Sequence, residues 1–212
     1  EKLKTEFPHL RIAIHTALLD EARAKRMETA GVDTAMMDVI GAQETIRDVY
    51  HLDRPVDDFE ATLAALCSTS MEVVPHIVIG LHYGRTVGEA NALDICARHN
   101  IHALVLVVVM PFYAKVGTFV TPSTSDVGKI FLEARQRLTD KQVLLGCARP
   151  PGMTRRVIDS YAVMAGLDGI AFPADGMVAL AQSIGRPYSQ EHACCSIKLG
   201  GAGEVAGGQC AA

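Results

Sequence analysis

The chain has 212 residues, of which 49% are hydrophobic and 21% charged, a composition typical of one globular domain. Its net charge of −4 at pH 7 gives no general attraction to nucleic acid or to anionic membranes. The densest apolar run, Ala103–Met110, is far shorter than the ~20 residues that a bilayer-spanning helix needs. We therefore expect neither a nucleic-acid nor a membrane partner. We also expect a cytoplasmic location, because the first ten residues lack the apolar segment of a signal peptide.

Apolar runs rich in β-branched residues alternate along the chain with amphipathic helical patterns. The candidate strands are Arg11–Leu18, Asp33–Ile40, Glu72–Leu81, Ala103–Met110, Gln142–Ala148 and Asp168–Phe172. A helical pattern follows each of them. The helix after the third strand is expected to begin at Thr86, with Glu89 completing a capping box. Strands that each lead into a helix predict parallel βαβ units, and so an α/β fold.

Two architectures fit this pattern, a doubly wound sheet and a TIM-type β/α barrel. The segments "TAGVDTAMMD" and "MAGLDGIAFP" both lead from a helix end through a glycine, Gly31 or Gly166, directly into a strand. Such tight turns are frequent in β/α barrels. No G-x-G-x-x-G motif follows any strand, which disfavours a dinucleotide-binding sheet. We predict a partial parallel β/α barrel over residues 1–197 and a disordered Gly/Ala-rich tail over residues 198–212.

Polar and flexible residues cluster where the predicted strands end, which is where β/α barrels carry their chemistry. The candidate site residues at these ends are His15, Asp38, His76, Gly80, Leu81, Met110 and Arg149. Each also has a structural interpretation. His76 could be a core histidine, Asp38 a turn cap and Arg149 one half of an ion pair. Gly80 could admit a ligand close to the backbone or simply form a turn. Their convergence on one edge favours a binding site.

Four strand-end phrases, in this order, resemble the radical S-adenosylmethionine superfamily. Within it they are most similar to the biotin synthase-like group, which includes the two-component lipoyl synthases. The phrases are "VDTAMMDVIG", "HIVIGLHYGRTVGE", "VVVMPFYAKVGT" and "VLLGCARPPG". The resemblance runs from Arg11 to about Ser196 and implies a TIM-type barrel that binds S-adenosylmethionine.

The resemblance also implies roles for the residues that match. Asp38 would contact the ribose of S-adenosylmethionine or the substrate, and Gly80 would lie against the adenine. The remaining cofactor-binding positions would be His76, Leu81 and Met110. The substrate-binding positions would be His15 and Arg149.

The superfamily's CxxxCxxC loop, which holds a [4Fe-4S] cluster through three thiolates, has no match among the six cysteines. The strands match strands three to eight of an eight-unit barrel. The chain is therefore expected to be a fragment that lacks about two βα units, carries its cluster ligands in the missing N-terminal part and is inactive alone. Biotin synthases also ligate a [2Fe-2S] cluster through barrel cysteines. The matching strand position here is Val74, which disfavours a biotin synthase proper.

The adjacent thiols Cys194 and Cys195, with His192 close by, are either ligands of an auxiliary Fe-S cluster or incidental tail cysteines. The resemblance implies that the intact enzyme generates a 5′-deoxyadenosyl radical for C–H activation. Sulfur insertion into a small-molecule or acyl-carrier substrate, with a partner radical enzyme subunit, is the specific expectation. The alternatives are a non-redox β/α-barrel lyase, a metal-dependent hydrolase and a cluster-free binding subunit.

Overall fold

Six parallel strands, hydrogen-bonded in the order in which they occur along the chain, form the sheet of this protein. The computed structural model describes residues 1–191. The strands are β1 (Ala13–His15), β2 (Thr34–Asp38), β3 (Glu72–Ile79), β4 (Ala103–Val108), β5 (Gln142–Leu145) and β6 (Gly169–Ile170). Each lies within its predicted run. Within residues 1–191, β1 and β6 pair on one side only, so the sheet is a section of a parallel β/α barrel, which confirms the predicted fold class.

One short helix precedes β1, and the helices that follow the strands cover one face of the sheet. They are α1 (Lys2–Glu6), α2 (Glu21–Thr29), α3 (Gln43–Asp48), α4 (Val56–Cys67), α5 (Glu89–Arg98), α6 (Thr124–Arg137), α7 (Gly152–Ala165) and α8 (Met177–Ser183), with a short 3₁₀ helix at Pro111–Tyr113. Gly166 caps α7 in the left-handed conformation, as the tight-turn pattern predicts. Within residues 1–191, no helix combines the length and the apolar character needed to cross a bilayer.

The expected start of α5 at Thr86 is wrong. The helix begins at Glu89, and the Glu89 carboxylate accepts hydrogen bonds from the backbone N–H groups of Val87 (2.8 Å) and Gly88 (3.1 Å). These bonds bend the chain ahead of the helix, and in a capping box the residues between the cap and the glutamate are already helical. Glu89 is therefore a buried loop anchor rather than the third residue of a helix.

The two faces of the sheet bury different side chains because residues alternate along each strand. In β4, Leu104, Leu106 and Val108 belong to the main core between the sheet and the helices. Ala103 and Val105 point the other way, into a smaller apolar cluster inside the barrel section. The helix-covered face carries most of the buried apolar residues and holds the strand ends in fixed positions.

Two neighbouring residues of α6 test this arrangement. Phe131 is 0% exposed and Leu132 is 52% exposed. We expect Phe131→Ala to lower the free energy of unfolding by about 3–5 kcal/mol, because it removes a ring packed against the sheet. Leu132→Ala, the matched control, should cost no more than about 0.5 kcal/mol. Urea unfolding of the two variants measures both effects, and equal losses would contradict the placement of the core.

Candidate functional site at the carboxyl ends of the strands

The structure brings together three of the predicted site residues, at the ends of β1 and β2 and in the second half of β3. The parallel register sets Asp38 beside His76 and His15 beside Met36. His15 Nε2 lies 3.4 Å from Asp38 Oδ1, and the His15 and His76 rings have centroids 5.1 Å apart. His15, Asp38 and His76 therefore form one polar cluster, which we call the strand-end cluster.

A fourth member, Tyr50, was missed at the sequence level. Its hydroxyl donates a hydrogen bond to Asp38 Oδ2 at 3.3 Å. Tyr50 follows α3, the one-and-a-half-turn helix after β2 that brings the chain back to the strand end. A helix-forming pattern in "QETIRD" is the signal that could have indicated it.

Burial and charge give the cluster members different proton affinities. A hydrogen bond to Asp38, supported by the carboxylate's charge and opposed by burial, raises the pKa of His15. Burial opposes ionisation of Asp38, but the hydrogen bond and charge of His15, the charge of His76 and the Tyr50 hydroxyl outweigh it and lower the pKa of that carboxyl. Burial and the Asp38 charge raise the pKa of Tyr50. Asp38 is therefore ionised at neutral pH, and Tyr50 keeps its proton.

His76 behaves in the opposite way to His15. It is only 9% exposed, and burial together with the nearby charge of His15 lowers its pKa to about 4. Its Nδ1 lies 3.1 Å from the carbonyl oxygen of Val74. Since a carbonyl only accepts, Nδ1 carries the proton of the neutral ring. The cluster thus holds a histidine that favours the charged form beside one that stays neutral.

Gly80 forms a turn immediately after β3. Its φ of 79° favours glycine, and an added Cβ would lie 2.7 Å from Pro122 Cγ. Its N–H donates to Glu89 Oε1 at 2.7 Å, and its carbonyl accepts from the N–H of Gly84 at 2.7 Å. Both backbone groups are thus engaged within the protein. This geometry favours the turn interpretation of Gly80, and ligand contact there stays a prediction.

Leu81 lines a small cleft between the ends of β2 and β3 and the start of α5. The other lining residues are Val39, Ile40, Gly41, Thr45, Ile77, Val78, His82, Gly88, Glu89 and Ala92. The cleft has a volume of about 20 Å³, enough for one water molecule. Ligand sites for drug-sized molecules measure roughly 300 Å³ or more. The cleft is therefore too small to enclose a ligand of that size.

Met110 lies two residues beyond β4 and is 37% exposed. The connection that follows it also exposes apolar side chains at Phe112, Val116 and Val120. The edge where the strands end therefore has a polar side, at the strand-end cluster, and an apolar side, after β4.

Arg149 lies in a buried ion pair rather than at the open edge. Its Nε and Nη2 donate to the Asp159 carboxylate at 2.5 Å and 3.0 Å, and both side chains are 0% exposed. The carbonyl oxygens of Gly146, Ala171 and Phe172 accept further bonds from the same guanidinium. This is the ion-pair interpretation of Arg149, and the geometry lends no support to its predicted contact with substrate.

The predicted cysteine ligands Cys194 and Cys195 lie outside residues 1–191, as does the tail over residues 198–212. Within the described part of the chain the free cysteines are Cys67, Cys96 and Cys147. Burial raises the pKa of the Cys67 thiol to about 11. No group of three or more His, Cys, Asp or Glu side chains in residues 1–191 is placed to hold a metal ion.

No family model matches the chain, and no curated protein matches it by sequence. Solved structures do match. HydG, a maturase of the [FeFe]-hydrogenase, matches with a TM-score of 0.58 and 14% identity over 76% of this chain and 37% of its own. The carboxyl transferase domain of Rhizobium etli pyruvate carboxylase matches with a TM-score of 0.52 and 10% identity, over 86% of this chain and 31% of its own. Hydroxymethylglutaryl-CoA lyase from Pseudomonas aeruginosa matches with a TM-score of 0.52 and 11% identity, over 80% of this chain and 55% of its own.

These similarities establish the fold. The chain spans between about a third and about half of the structures that it matches, and the identities are too low to carry an activity across. They agree with the parallel β/α barrel section.

The opposite shifts of the two histidines can be measured by NMR. We expect His76 to titrate at about pH 4 and His15 above its ordinary value of 6.5. Asp38→Asn should lower the pKa of His15, because it removes the charge and the main hydrogen-bond acceptor of the imidazolium. Asp140→Asn, at an exposed site, is the matched control and should leave both histidines unchanged. Titration of both rings near their ordinary value would contradict the geometry.

The two pKa shifts should change the free energy of unfolding in opposite directions as the pH falls. His15, with its raised pKa, stabilises the fold below the ordinary histidine value, and this contribution is lost as pH rises through its folded pKa. His76 destabilises the fold as pH falls from about 6.5 towards about 4, because the unfolded chain takes up a proton that the folded chain refuses.

The buried ion pair provides a further test. Asp159→Asn leaves the Arg149 charge buried without its counter-charge, so we expect the free energy of unfolding to fall by about 3–5 kcal/mol. Asp94→Asn is the matched control. Asp94 pairs with Arg137 at 2.7 Å, but its side chain is 52% exposed, so its loss should cost about 1 kcal/mol or less. A loss at Asp159 no larger than the loss at Asp94, measured by urea unfolding, would refute the structural role.

Proposed function

We propose that this chain is the S-adenosylmethionine-binding section of a radical S-adenosylmethionine enzyme. The proposal is supported by the four family-like phrases, because in the structure they occupy the carboxyl ends of β2, β3, β4 and β5. The observation that carries it is the ionised carboxylate of Asp38 at the end of β2, on the same edge of the sheet as the turn at Gly80 and the partly buried Leu81. A carboxylate and apolar side chains on one edge match a nucleoside, which has a ribose diol and a flat base.

Asp38 can take the ribose while it keeps its present partners. His15 and Tyr50 each engage one of its oxygens, and an ionised carboxylate has about four acceptor sites. Leu81 and Met110 would offer apolar contact to the adenine, and His76 would border the ribose side as a neutral ring. When bound, S-adenosylmethionine supplies the 5′-deoxyadenosyl group used in C–H activation.

The [4Fe-4S] cluster does not fit residues 1–191. A cluster of this kind takes cysteine thiolates, and the described cysteines are Cys67 on α4, Cys96 on α5 and Cys147 after β5. Cys96 is buried among apolar side chains of the helix layer, and no suitable ligand group occurs in this part of the chain. We therefore derive no step through the cluster and limit the proposal to what the barrel section binds.

Within this proposal the chain's own residues bind, orient and hold protons. Asp38 fixes the ribose, and Tyr50 and His15 fix the orientation of Asp38 through both of its oxygens. The raised pKa of His15 favours its positively charged form near the open edge. Sulfur insertion, an acyl-carrier or other small-molecule substrate, an auxiliary cluster at Cys194 and Cys195, and a partner radical subunit remain parts of the proposal.

A non-redox barrel lyase is the second candidate, and the strand-end cluster favours it. The raised pKa of His15 and the lowered pKa of His76, in rings with centroids 5.1 Å apart, suit a general acid and a general base. In such an enzyme His76 would accept a proton from the substrate, His15 would donate one, and Asp38 would orient His15. Hydroxymethylglutaryl-CoA lyase shares the fold, which permits this chemistry without assigning it.

Binding of S-adenosylmethionine separates the two candidates. We expect the chain to bind radiolabelled S-adenosylmethionine in equilibrium dialysis and Asp38→Asn to weaken binding tenfold or more, as roughly 1.5–3 kcal/mol is lost with a charge-assisted hydrogen bond. Asp140→Asn, whose carboxyl is 75% exposed, should bind as the unchanged chain does. An unchanged chain that does not bind S-adenosylmethionine would refute the proposal and favour the lyase.

A further inference from the structure

Phe172 has a backbone conformation that bulky residues avoid. Its φ is 48°, in the left-handed region where a side chain larger than hydrogen is strained. Its side chain gains little from the fold, because Phe172 is 76% exposed. Neither packing nor backbone preference therefore explains a phenylalanine at this position.

The buried ion pair fixes the conformation of this residue. The Phe172 carbonyl oxygen accepts hydrogen bonds from Arg149, at 3.1 Å, and from Arg155. Arg149 also donates to the carbonyl of Ala171 at 2.8 Å, and Asp159 Oδ2 accepts from the N–H of Ala174 at 2.8 Å. The backbone is thus held on both sides of Phe172, and the ring is directed away from the core.

The arrangement has a second cost. Nε of Arg155 is buried and, within the described residues, has no hydrogen-bond partner. A glycine at position 172 would adopt the same turn without strain. Strained residues that surrounding contacts hold in place concentrate at functional sites, so the combination of strain, exposure and a buried clamp points to a role for the ring.

We propose that Phe172 is a substrate-contacting specificity residue that offers its ring to an apolar chain or ring of the substrate, and that Arg149 and Asp159 are positioning residues acting through it. This inference rests on the proposed function, since it takes the carboxyl ends of the strands as the active-site edge. Phe172 lies two residues beyond β6 at that edge. The nearby connection after β4 also exposes Met110 and Phe112, so an apolar part of the substrate would meet apolar surface on both sides of β5.

This assignment gives Arg149 a new role at the same edge. The resemblance implied direct contact between Arg149 and the substrate, whereas the geometry gives it an indirect effect through the carbonyl oxygens of Ala171 and Phe172. Loss of the Asp159 partner should therefore disturb both the stability of the fold and the environment of the Phe172 ring.

The first test compares stability in thermal unfolding. Phe172→Gly should raise Tm by about 2–4 °C, because glycine removes the strain at a positive φ. Phe7→Gly is the matched control, since Phe7 is 52% exposed and lies before β1, at the edge where the strands begin. Its φ of −129° is unstrained, so its Tm should stay the same or fall. A lower Tm for Phe172→Gly would make the residue structural and overturn the proposal.

The second test uses the absence of tryptophan from the chain. Phe172→Trp places a single reporter at the proposed contact, and decanoic acid below its micelle concentration serves as the apolar probe. We expect a saturable blue shift of the emission in Phe172→Trp and none in the matched variant Phe7→Trp. In Phe172→Trp/Asp159→Asn the apparent affinity should fall at least fivefold. No shift at position 172, or an equal shift at position 7, would overturn the proposal.

S-Adenosylmethionine binding to the same variants distinguishes failure of this inference from failure of the proposed function. Phe172→Gly should bind S-adenosylmethionine within twofold of the unchanged chain, because Phe172 lies beyond β6 and Asp38 ends β2. If the unchanged chain does not bind S-adenosylmethionine, the proposed function is refuted. The tryptophan response alone then decides whether Phe172 contacts an apolar ligand.

Discussion

Parallel pairing of the strands in chain order is the constraint on which the candidate site depends. Each strand returns through a helix on the same side of the sheet, so all six carboxyl ends lie at one edge. The register then fixes which side chains meet: Asp38 lies beside His76, and His15 lies beside Met36, two residues before Asp38. A slip of one residue in β2 would turn Asp38 towards the helices. The polar cluster is thus a product of the register of the sheet.

Partial burial at that edge strengthens the electrostatic interactions between the neighbouring side chains and so shifts their pKa values. One carboxylate, Asp38, lies near two imidazoles, and it stabilises the positive charge of His15 while burial keeps His76 neutral. Two charged rings with centroids 5.1 Å apart would repel each other. The two histidines therefore differ in pKa, with that of His15 raised and that of His76 lowered. Tyr50 helps to fix the position of the Asp38 carboxylate, which favours the charged form of His15. An unequal pair of this kind suits either a binding site for a hydroxylated ligand or acid–base catalysis.

The loops at the same edge are held by buried acids and bases. Glu89 secures the turn at Gly80 after β3, and the Arg149–Asp159 pair secures the turn at Phe172 after β6. Buried charges of this kind are costly unless every donor and acceptor is satisfied. Here they bind backbone groups of the loops, so their satisfaction requires the loops to take one conformation. Rigid loops at the carboxyl ends of strands are what a preorganised site needs.

Features that depend on residues close together in the sequence could be predicted, and features that depend on distant residues could not. Strand runs and helices follow local periodicity, and the predicted fold class is confirmed because each observed strand lies within its predicted run. The closeness of His15 and Asp38 also followed from the sequence, since they end adjacent parallel strands. His76 lies three residues before the end of β3 and meets Asp38 through the register of the sheet. The start of α5 was misplaced because Glu89 bonds backbone groups of its own loop and of a strand end nine residues earlier.

Only the tertiary structure decided the partners of individual side chains. The sequence offered Arg149 as a substrate ligand or an ion-pair residue, and the position of Asp159, about two helix turns into α7, favours the ion pair. It offered Gly80 as a ligand contact or a turn, and Pro122 from a distant loop fills the space beside it. Tyr50 reaches Asp38 only because α3 reverses the chain. The strand pattern depends on alternation between neighbouring residues, which the sequence carries directly. These contacts join segments whose separation in space is set by the packing of the whole sheet and its helices.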